Sequence, residues 1–208
     1  MHRQQKTTVL AMTGIARRFR ARGFTLIELM VTLGIAAILL TLAAPNLSQF
    51  QRNSQLTSAT NSLVGALNAA RAEAMKRGKN TFVVPTSNGN GNQWATGWVV
   101  FVDIDRSQAY EAGNDFTVLE QPALPGFITV SANGTANESP AYVMFDSSGY
   151  ARPKDGSFSN MTINLSRSDL SGASQIAETR RIKIGITGRI STCKPASSSD
   201  ATCPATDS

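Results

Sequence analysis

The chain has 208 residues, of which 41% are hydrophobic and 16% charged, a composition typical of one folded domain with an appended segment. Its net charge of +6 lies in the leader, residues 1–23, which holds six of the 20 basic residues and none of the 14 acidic ones. The only histidine, His2, is also in the leader. The rest of the chain is therefore neutral and has no imidazole for a catalytic triad, a Cys–His pair or a His-ligated metal site, which argues against an enzyme.

An apolar stretch, Phe24–Ala44, follows the leader, and Glu28 is its only charged residue. As a helix, its 21 residues span about 31 Å, which matches the hydrocarbon core of a bilayer. Four arginines of the leader precede the stretch and only Arg52 follows it closely, so a cytoplasmic N-terminus and a C-terminal domain across the membrane are predicted. A cleaved secretory signal fits less well, because the apolar run is too long and Pro45 directly follows the best small-residue site.

The apolar stretch is predicted to continue into a second, amphipathic helical segment, residues 45–78. Pro45 lacks a backbone N–H and is expected to kink the helix. One apolar stripe then recurs at helical spacing: Leu56, Leu63, Leu67, Ala70 and Ala74. Lys76, Arg77 and Gly78 are typical of a helix C-terminus. We expect one helix from about Phe24 to Arg77, about 80 Å long, whose second half packs on a domain.

Residues 79–193 are predicted to form that domain, because short β-prone runs alternate there with turns rich in Gly, Asn, Ser and Pro. Seven strands are expected: Thr81–Val84, Gly97–Val102, Phe116–Leu119, Phe127–Val130, Tyr142–Phe145, Met161–Leu165 and Arg181–Ile186. The run from Trp98 to Val102 is apolar on both faces, which indicates a central strand. Trp98 and Trp94 are interpreted as core residues rather than as a ligand-stacking pair. One long helix followed by these strands predicts an α+β fold with antiparallel sheets.

The C-terminal segment, residues 194–208, is rich in Ser, Ala, Thr and Pro and is predicted to be a flexible tail. Cys193 and Cys203 flank most of it. In a reducing compartment they would be free thiols, whereas in an oxidising one they would close a short loop worth about 2–3 kcal/mol. The predicted topology favours the disulfide.

An acidic loop after the central strand is a candidate cation site, with five oxygen-bearing side chains: Asp103, Asp105, Glu111, Asn114 and Asp115. Calcium prefers several oxygen ligands from one loop. However, the EF-hand pattern fails, because glycine is missing at the sixth position and glutamate at the twelfth. A solvated turn is the favoured interpretation, and no cofactor or metal is predicted.

Outside the leader, the chain has one basic cluster: Arg180, Arg181, Lys183, Arg189 and Lys194. In a strand, Arg181 and Lys183 share one face while Ile182, Ile184 and Ile186 point to the core. Gly188-Arg189 is expected at a hairpin turn. The cluster is interpreted either as a DNA-contacting patch or, in preference, as an exposed polar strand face.

Two motifs resemble a known family. The first motif looks like the N-terminal signal of type IV pilins and type II secretion pseudopilins, and it is Arg22-Gly23-Phe24-Thr25-Leu26-Ile27-Glu28-Leu29. The second motif is similar to the GspH/FimT family of minor pilins and pseudopilins. It consists of Ala66-Leu67-Asn68-Ala69-Ala70-Arg71-Ala72-Glu73-Ala74-Met75-Lys76-Arg77-Gly78 and Trp94-Ala95-Thr96-Gly97-Trp98-Val99-Val100-Phe101-Val102-Asp103. The resemblance covers residues 22–103 well and 104–208 loosely.

The resemblance implies a pilin-like fold, a long helix packed on antiparallel β-sheets, and a subunit of the type IV pilus or of the type II secretion pseudopilus. Prepilin peptidase would cut between Gly23 and Phe24 and methylate the Phe24 amine. Glu28 would pair with the terminal amine of a neighbouring subunit in the filament. The chain would begin in the bacterial inner membrane, with its C-terminal domain in the periplasm, and later join other pilins.

The resemblance also bears on DNA, because some FimT-type pilins are DNA receptors with a C-terminal Gly-Arg-x-Arg. Here the stretch is Gly188-Arg189-Ile190-Ser191, so the second arginine is missing. DNA is therefore the less favoured partner.

Overall fold

The protein is described by a computed structural model covering residues 23–87 and 93–205, without the side chains of residues 42–46. The chain divides into two compact units, residues 1–46 and residues 47–208. Apart from Gly23, the predicted leader lies outside the described residues.

The longest element is helix α1, Leu26–Arg77. It begins two residues after the expected Phe24 and ends at the predicted Arg77, where Lys76 and Arg77 lie in the last turn and Gly78 follows with a φ of +65°. A residue with positive φ just past the last turn is a common helix terminator, and glycine adopts it without strain. The helical backbone continues through Pro45, whose side chain is not described, and the kink stays a prediction.

The first unit contributes the N-terminal part of α1, whose large apolar side chains are exposed along residues 26–40. No helix in the described part of the chain has an 18-residue stretch apolar enough to cross a membrane. The predicted span, Phe24–Ala44, extends past Thr41 into residues whose side chains are not described.

The second unit holds two four-stranded antiparallel sheets, whose eight strands are β1 Thr81–Pro85, β2 Trp98–Val102, β3 Phe116–Gln121, β4 Ile128–Ala132, β5 Val143–Phe145, β6 Met161–Arg167, β7 Arg180–Ile184 and β8 Ile190–Cys193. The first sheet has the order β3-β2-β1-β5 and the second β4-β6-β7-β8. A short helix, α2 Gly172–Ala177, and two 3₁₀ turns, Gln93–Thr96 and Gly134–Asn137, complete the domain. The predicted α+β fold with antiparallel sheets is confirmed.

The core of the second unit lies between α1 and the inner faces of both sheets. The five residues of the predicted helical stripe are all completely buried. Strand β2 lies between β1 and β3 and is buried on both faces, as the run Trp98–Val102 predicts. Its Phe101 faces away from the main core and joins Phe82, Tyr142 and Met144 in a second, smaller apolar cluster.

Two expectations about the end of the domain are wrong. The eighth strand, β8, was not predicted, because Ile190-Ser191-Thr192-Cys193 is too short and polar to read as a strand without its partner β7. Ile186 was assigned to the core, but β7 ends at Ile184 and Ile186 is 39% exposed in the β7–β8 turn. Successive side chains alternate between the two faces of a sheet only within a strand, and Ile186 lies beyond the end of β7.

Candidate functional site

The predicted processing residues, Gly23 and Phe24, lie in non-helical backbone immediately before α1. Phe24 is 79% exposed, and nothing lies within 4 Å of the position that a Cβ of Gly23 would occupy. Among the described residues, none covers the peptide bond between these two.

The predicted assembly residue, Glu28, lies in the first turn of α1 and faces Thr25. The Glu28 backbone N–H donates to Thr25 Oγ1 at 3.2 Å, and the Thr25 backbone N–H donates to Glu28 Oε2 at 3.5 Å. This reciprocal pair is a capping box, which satisfies backbone donors at a helix N-terminus. The fold thus places the Glu28 carboxylate next to Thr25, at the long end of hydrogen-bond distances, and Glu28 is exposed.

The helical surface beyond Glu28 is apolar and exposed. Ten large side chains within residues 26–40 are more than half exposed, two of them just before Glu28: Leu26, Ile27, Leu29, Met30, Val31, Leu33, Ile35, Ile38, Leu39 and Leu40. An apolar surface of this kind marks a membrane or protein contact. Among the described residues, no other element covers this part of α1.

In the second unit, Arg71 attaches α1 to two turns. Its Nε donates to the Gly149 carbonyl oxygen at 3.0 Å, and its Nη2 donates to the Thr187 carbonyl oxygen at 3.3 Å. Gly149 and Gly188 both have positive φ. A Cβ on Gly188 would collide with the Gly149 carbonyl oxygen, so the two turns meet at a distance that only glycine permits there.

An ion network around the buried Arg167 joins the end of β6 to α1. Arg167 is 1% exposed and donates two hydrogen bonds to Asp169, from Nε at 3.0 Å and from Nη2 at 2.6 Å. Arg167 also donates to Gln49 Oε1 at 2.6 Å, and Arg52 donates to Asp169 Oδ2 at 2.7 Å. Arg167, helped by Arg52, holds the pKa of Asp169 well below its usual range. We call Gln49, Arg52, Arg167 and Asp169 the Arg167 network.

The last turn of α1 contacts the edge strand β3. The Arg77 guanidinium lies 3.7 Å from the centroid of the Phe116 ring and also pairs with Glu73 at 2.5 Å. Its hydrogen bond to Glu73, with that of Lys76, lowers the pKa of the Glu73 carboxyl. These contacts give Glu73 and Arg77 of the helical motif a structural role.

The two tryptophans are core residues, as interpreted from the sequence. Trp94 is buried and its Nε1 donates to the Ala136 carbonyl oxygen at 2.8 Å, and Trp98 is completely buried. Gly97 between them has a φ of +97°, and a Cβ there would collide with the Gln121 carbonyl oxygen. The Trp–Gly–Trp spacing is thus a packing motif.

The acidic loop brings three of its five candidates together, since oxygens of Asp103, Asp105 and Asp115 lie within 4.8 Å of one another. Those carboxylates accept backbone hydrogen bonds within the loop: Asp103 from Ser107 and Gln108, and Asp115 from Ile104 and Glu111. Burial raises the pKa of the Asp103 carboxyl. The carboxylates are thus hydrogen-bonded within the turn, and whether this loop binds a cation stays a prediction.

The basic cluster is largely occupied by internal contacts. Arg180 donates to Asn53 Oδ1 at 2.8 Å and lies 3.7 Å from Glu178, which also pairs with Lys194 at 3.5 Å. Arg181 is buried, whereas Arg189 is exposed in the turn between β7 and β8, where a hairpin turn was expected. DNA binding stays a prediction, and of its proposed residues at least Arg180 and Arg181 are engaged within the domain.

Cys193 and Cys203 are joined by a disulfide in the structure. It closes the C-terminal loop, residues 194–203, whose Cys203 is 1% exposed. Within the loop, Asp200 accepts hydrogen bonds from the Ala196 N–H and from the Thr202 N–H and O–H. These bonds, led by that from Ala196, lower the pKa of Asp200 to about 2.

The structural roles of Arg71 and of the Arg167 network were not anticipated from the sequence. Arg71 lies off the apolar helical stripe and reads as a solvated residue. Arg167 continues the inward-facing row of β6 after Met161, Ile163 and Leu165, so its position on a buried face was the available signal. Its partner in α1, Gln49, is more than 100 positions away, and no local pattern indicates it.

Comparison with known proteins gives two family matches. Residues 59–188 match the family described as type II transport protein GspH. Residues 18–44, which contain Gly23, Phe24 and Glu28, match the prokaryotic N-terminal methylation motif.

One curated relative and one solved structure are also similar. The pilin-like protein PilA1 of Thermus thermophilus is 39% identical over 95 residues, which cover 46% of this chain and 56% of the relative. The chain therefore spans little more than half of that relative's length. The crystal structure of the type IV minor pilin FimU of Pseudomonas aeruginosa PAO1 matches with a TM-score of 0.51 at 17% identity, over 68% of this chain and 90% of that one. This likeness confirms the predicted pilin-like fold.

Proposed function

The chain belongs to the GspH family, and from this premise we propose that it is a minor pilin, a structural subunit of type IV pilus assembly rather than an enzyme. The observation that carries the proposal is the N-terminal segment. It combines a methylation motif, a Gly23–Phe24 bond that no described residue covers and an exposed apolar helix with a domain that has its own core.

In the proposed sequence of events, the chain is first inserted into the bacterial inner membrane with its N-terminus in the cytoplasm. Prepilin peptidase then cuts after Gly23 and methylates the Phe24 amine. The match to the methylation motif supports this processing. The second unit, on the periplasmic side, is carried into the filament with α1.

Glu28 is proposed to select the register of the subunit. A carboxylate in an apolar helix is costly unless a cation accompanies it. The Phe24 amine of a neighbouring subunit would be that cation, and pairing with it would replace the long contact between Glu28 and the Thr25 N–H. A buried ion pair of this kind contributes specificity more than net stability, which suits a register role.

The test is the substitution Glu28→Ala in the full chain, with Gln55→Ala as a matched control, because Gln55 is an exposed polar residue of the same helix. We expect the Glu28 variant to insert into the membrane and to lose its leader, giving a mature N-terminus at methylated Phe24 by mass spectrometry. Its recovery in sheared filaments should fall at least about tenfold, consistent with the loss of a buried ionic partner. Normal recovery of the variant would refute the role of Glu28.

A type II secretion pseudopilin is the second candidate, and the GspH match favours it specifically, since that family is described as a type II transport protein. The similarity to the pilin-like protein PilA1 favours the pilus. Expression in two strains, one lacking a minor pilin and one lacking a minor pseudopilin, separates the candidates. Restored pili support the proposal, and restored secretion without pili supports the alternative.

A further inference from the structure

We propose that the Cys193–Cys203 disulfide is a redox-sensitive latch that holds the C-terminal loop over Arg181, so that reduction exposes this side chain while the domain stays folded. The inference does not depend on the proposed function. It rests on the position of Arg181 and on what the loop contributes to it.

Arg181 lies on the outer face of the second sheet. Its neighbours in β7, Ile182 and Ile184, point into the core, and strand alternation turns Arg181 to the other side. In the sheet register, Arg181 lies opposite Asn164 of β6 on one side and Cys193 of β8 on the other. The disulfide therefore places Cys203 directly beside the arginine.

The loop covers Arg181 and supplies a hydrogen-bond acceptor. Arg181 is only 6% exposed, although it lies on an outer sheet face. Its Nη1 donates to the Cys203 carbonyl oxygen. Among the described residues its Nε has no hydrogen-bond partner, and neither has the nearby Asn164 Oδ1.

This environment makes the buried state of Arg181 dependent on the loop. A buried guanidinium without an acceptor carries a large desolvation cost, so it moves to water when its cover is removed. The Cys203 carbonyl is the acceptor that the loop brings. Once it leaves, solvent exposure is the favourable alternative for the Arg181 side chain.

Apart from the buried Pro195 near its start, the described part of the loop has few other attachments to the domain. Residues 196–199 are exposed, and the bonds of Asp200 are to the loop's own Ala196 and Thr202. Lys194 reaches Glu178 at 3.5 Å, but this pair is at the start of the loop and half exposed. Such exposed ion pairs contribute little to stability. The disulfide is therefore the main restraint that holds Cys203, at the end of the loop, on the domain.

The redox step needs a dithiol reductant. Two electrons and two protons pass from the dithiol to the Cys193–Cys203 bond, which becomes two thiols, while the dithiol becomes a disulfide. No other bond changes. The inward-facing core of the second unit contains neither the loop nor Arg181, so it remains intact.

The test is arginine labelling of the full chain in detergent micelles with phenylglyoxal, read residue by residue by mass spectrometry. Three samples are compared: the oxidised protein, the protein reduced with dithiothreitol, and the Cys193→Ser/Cys203→Ser double variant without reductant. Two arginines are internal controls, the exposed Arg189 and Arg167, which is buried on the inner face of the second sheet.

We expect Arg181 to be as unreactive as Arg167 in the oxidised protein, and its labelling to rise at least about tenfold in the other two samples, as for a local opening. Arg189 should react equally in all three. Equal protection of Arg181 with and without the disulfide would overturn the proposal. So would labelling of Arg167 together with Arg181, because the disulfide would then hold the whole domain and not the loop alone.

Discussion

Arg167 is a charged side chain at the end of an apolar row, and its burial depends on a single carboxylate. Asp169 receives two hydrogen bonds from it and a third from Arg52, and Gln49 supplies a further acceptor to Arg167. A buried cation with these partners is tolerated, whereas the same cation without its counterion is expensive. The network therefore makes contact between β6 and α1 conditional on residues far apart in the chain.

Asp169→Asn is predicted to destabilise the domain by about 1–3 kcal/mol, because it takes the charged acceptor away from the buried Arg167. Chemical denaturation followed by circular dichroism measures this. Glu120→Gln is the matched control, since Glu120 is exposed, and it should change the free energy of unfolding by less than about 0.5 kcal/mol. A loss for Asp169→Asn as small as that of the control would contradict the role assigned to the network.

The ion pair between Arg167 and Asp169 also predicts that the stability of the domain depends on pH. The pKa of Asp169 is lower in the folded than in the unfolded chain, so the stability it contributes is present above the unfolded pKa of about 4 and is lost as the pH falls below it. The free energy of unfolding of the wild type should therefore decrease between about pH 5 and pH 3 more steeply than that of Asp169→Asn. Parallel slopes for the two proteins would show that Asp169 titrates normally.

At the scale of elements, the two turns that Arg71 links are as important as the strands beside them. The turn at Gly149 and the β7–β8 turn at Gly188 approach so closely that the Gly149 carbonyl oxygen fills the place of a side chain on Gly188. Arg71 then donates to the Gly149 and Thr187 carbonyl oxygens. The helix thus packs on backbone as well as on apolar side chains.

Gly188→Ala is predicted to destabilise the domain more than Gly156→Ala. Both glycines have positive φ, +74° and +80°, so both variants carry the same backbone strain. Only at Gly188 would the new methyl group collide with backbone, whereas nothing lies within 4 Å at Gly156. The difference in thermal unfolding midpoint between the two variants measures the effect of the close approach between the Gly149 and Gly188 turns. Equal midpoints would mean that the two turns can separate without loss of stability.

Most elements were predictable because their signals are local. The helical stripe, the basic pair before Gly78 and the apolar run Trp98–Val102 each report a period or a cap within a few residues. Strand β8 and helix α2 were not predicted, because neither has a strong local signal. Ile190–Cys193 and Gly172–Ala177 are short, and β8 is a strand only because β7 offers it a ladder of hydrogen bonds.

The whole molecule divides into two units with opposite surfaces. The residues that form the main core all lie in residues 47–208, with Leu56 the first of them, while the described large apolar side chains of the first unit are exposed. The second unit is therefore stabilised by its own core, whereas the apolar side chains described in the first unit are not covered by any other described residue.

Residues 47–208 expressed alone are predicted to fold as a cooperative domain without detergent, because removal of residues 1–46 takes away no member of the described core. Circular dichroism and size-exclusion chromatography test this against the chain from Phe24 onward, which should associate or require detergent. A non-cooperative transition in the shorter chain would show that the first unit supports the core.

Local residue patterns alone indicate the N-terminal methylation motif, the long helix and the antiparallel α+β class, because each depends on neighbouring residues or on composition. Tertiary structure decided which polar residues are structural. Arg71, Arg167 and Arg181 resemble ordinary surface arginines in the sequence, yet each has an acceptor that lies 22 to 118 residues away. A buried charge is specified by its partners in space, and only the fold brings those partners within hydrogen-bond distance.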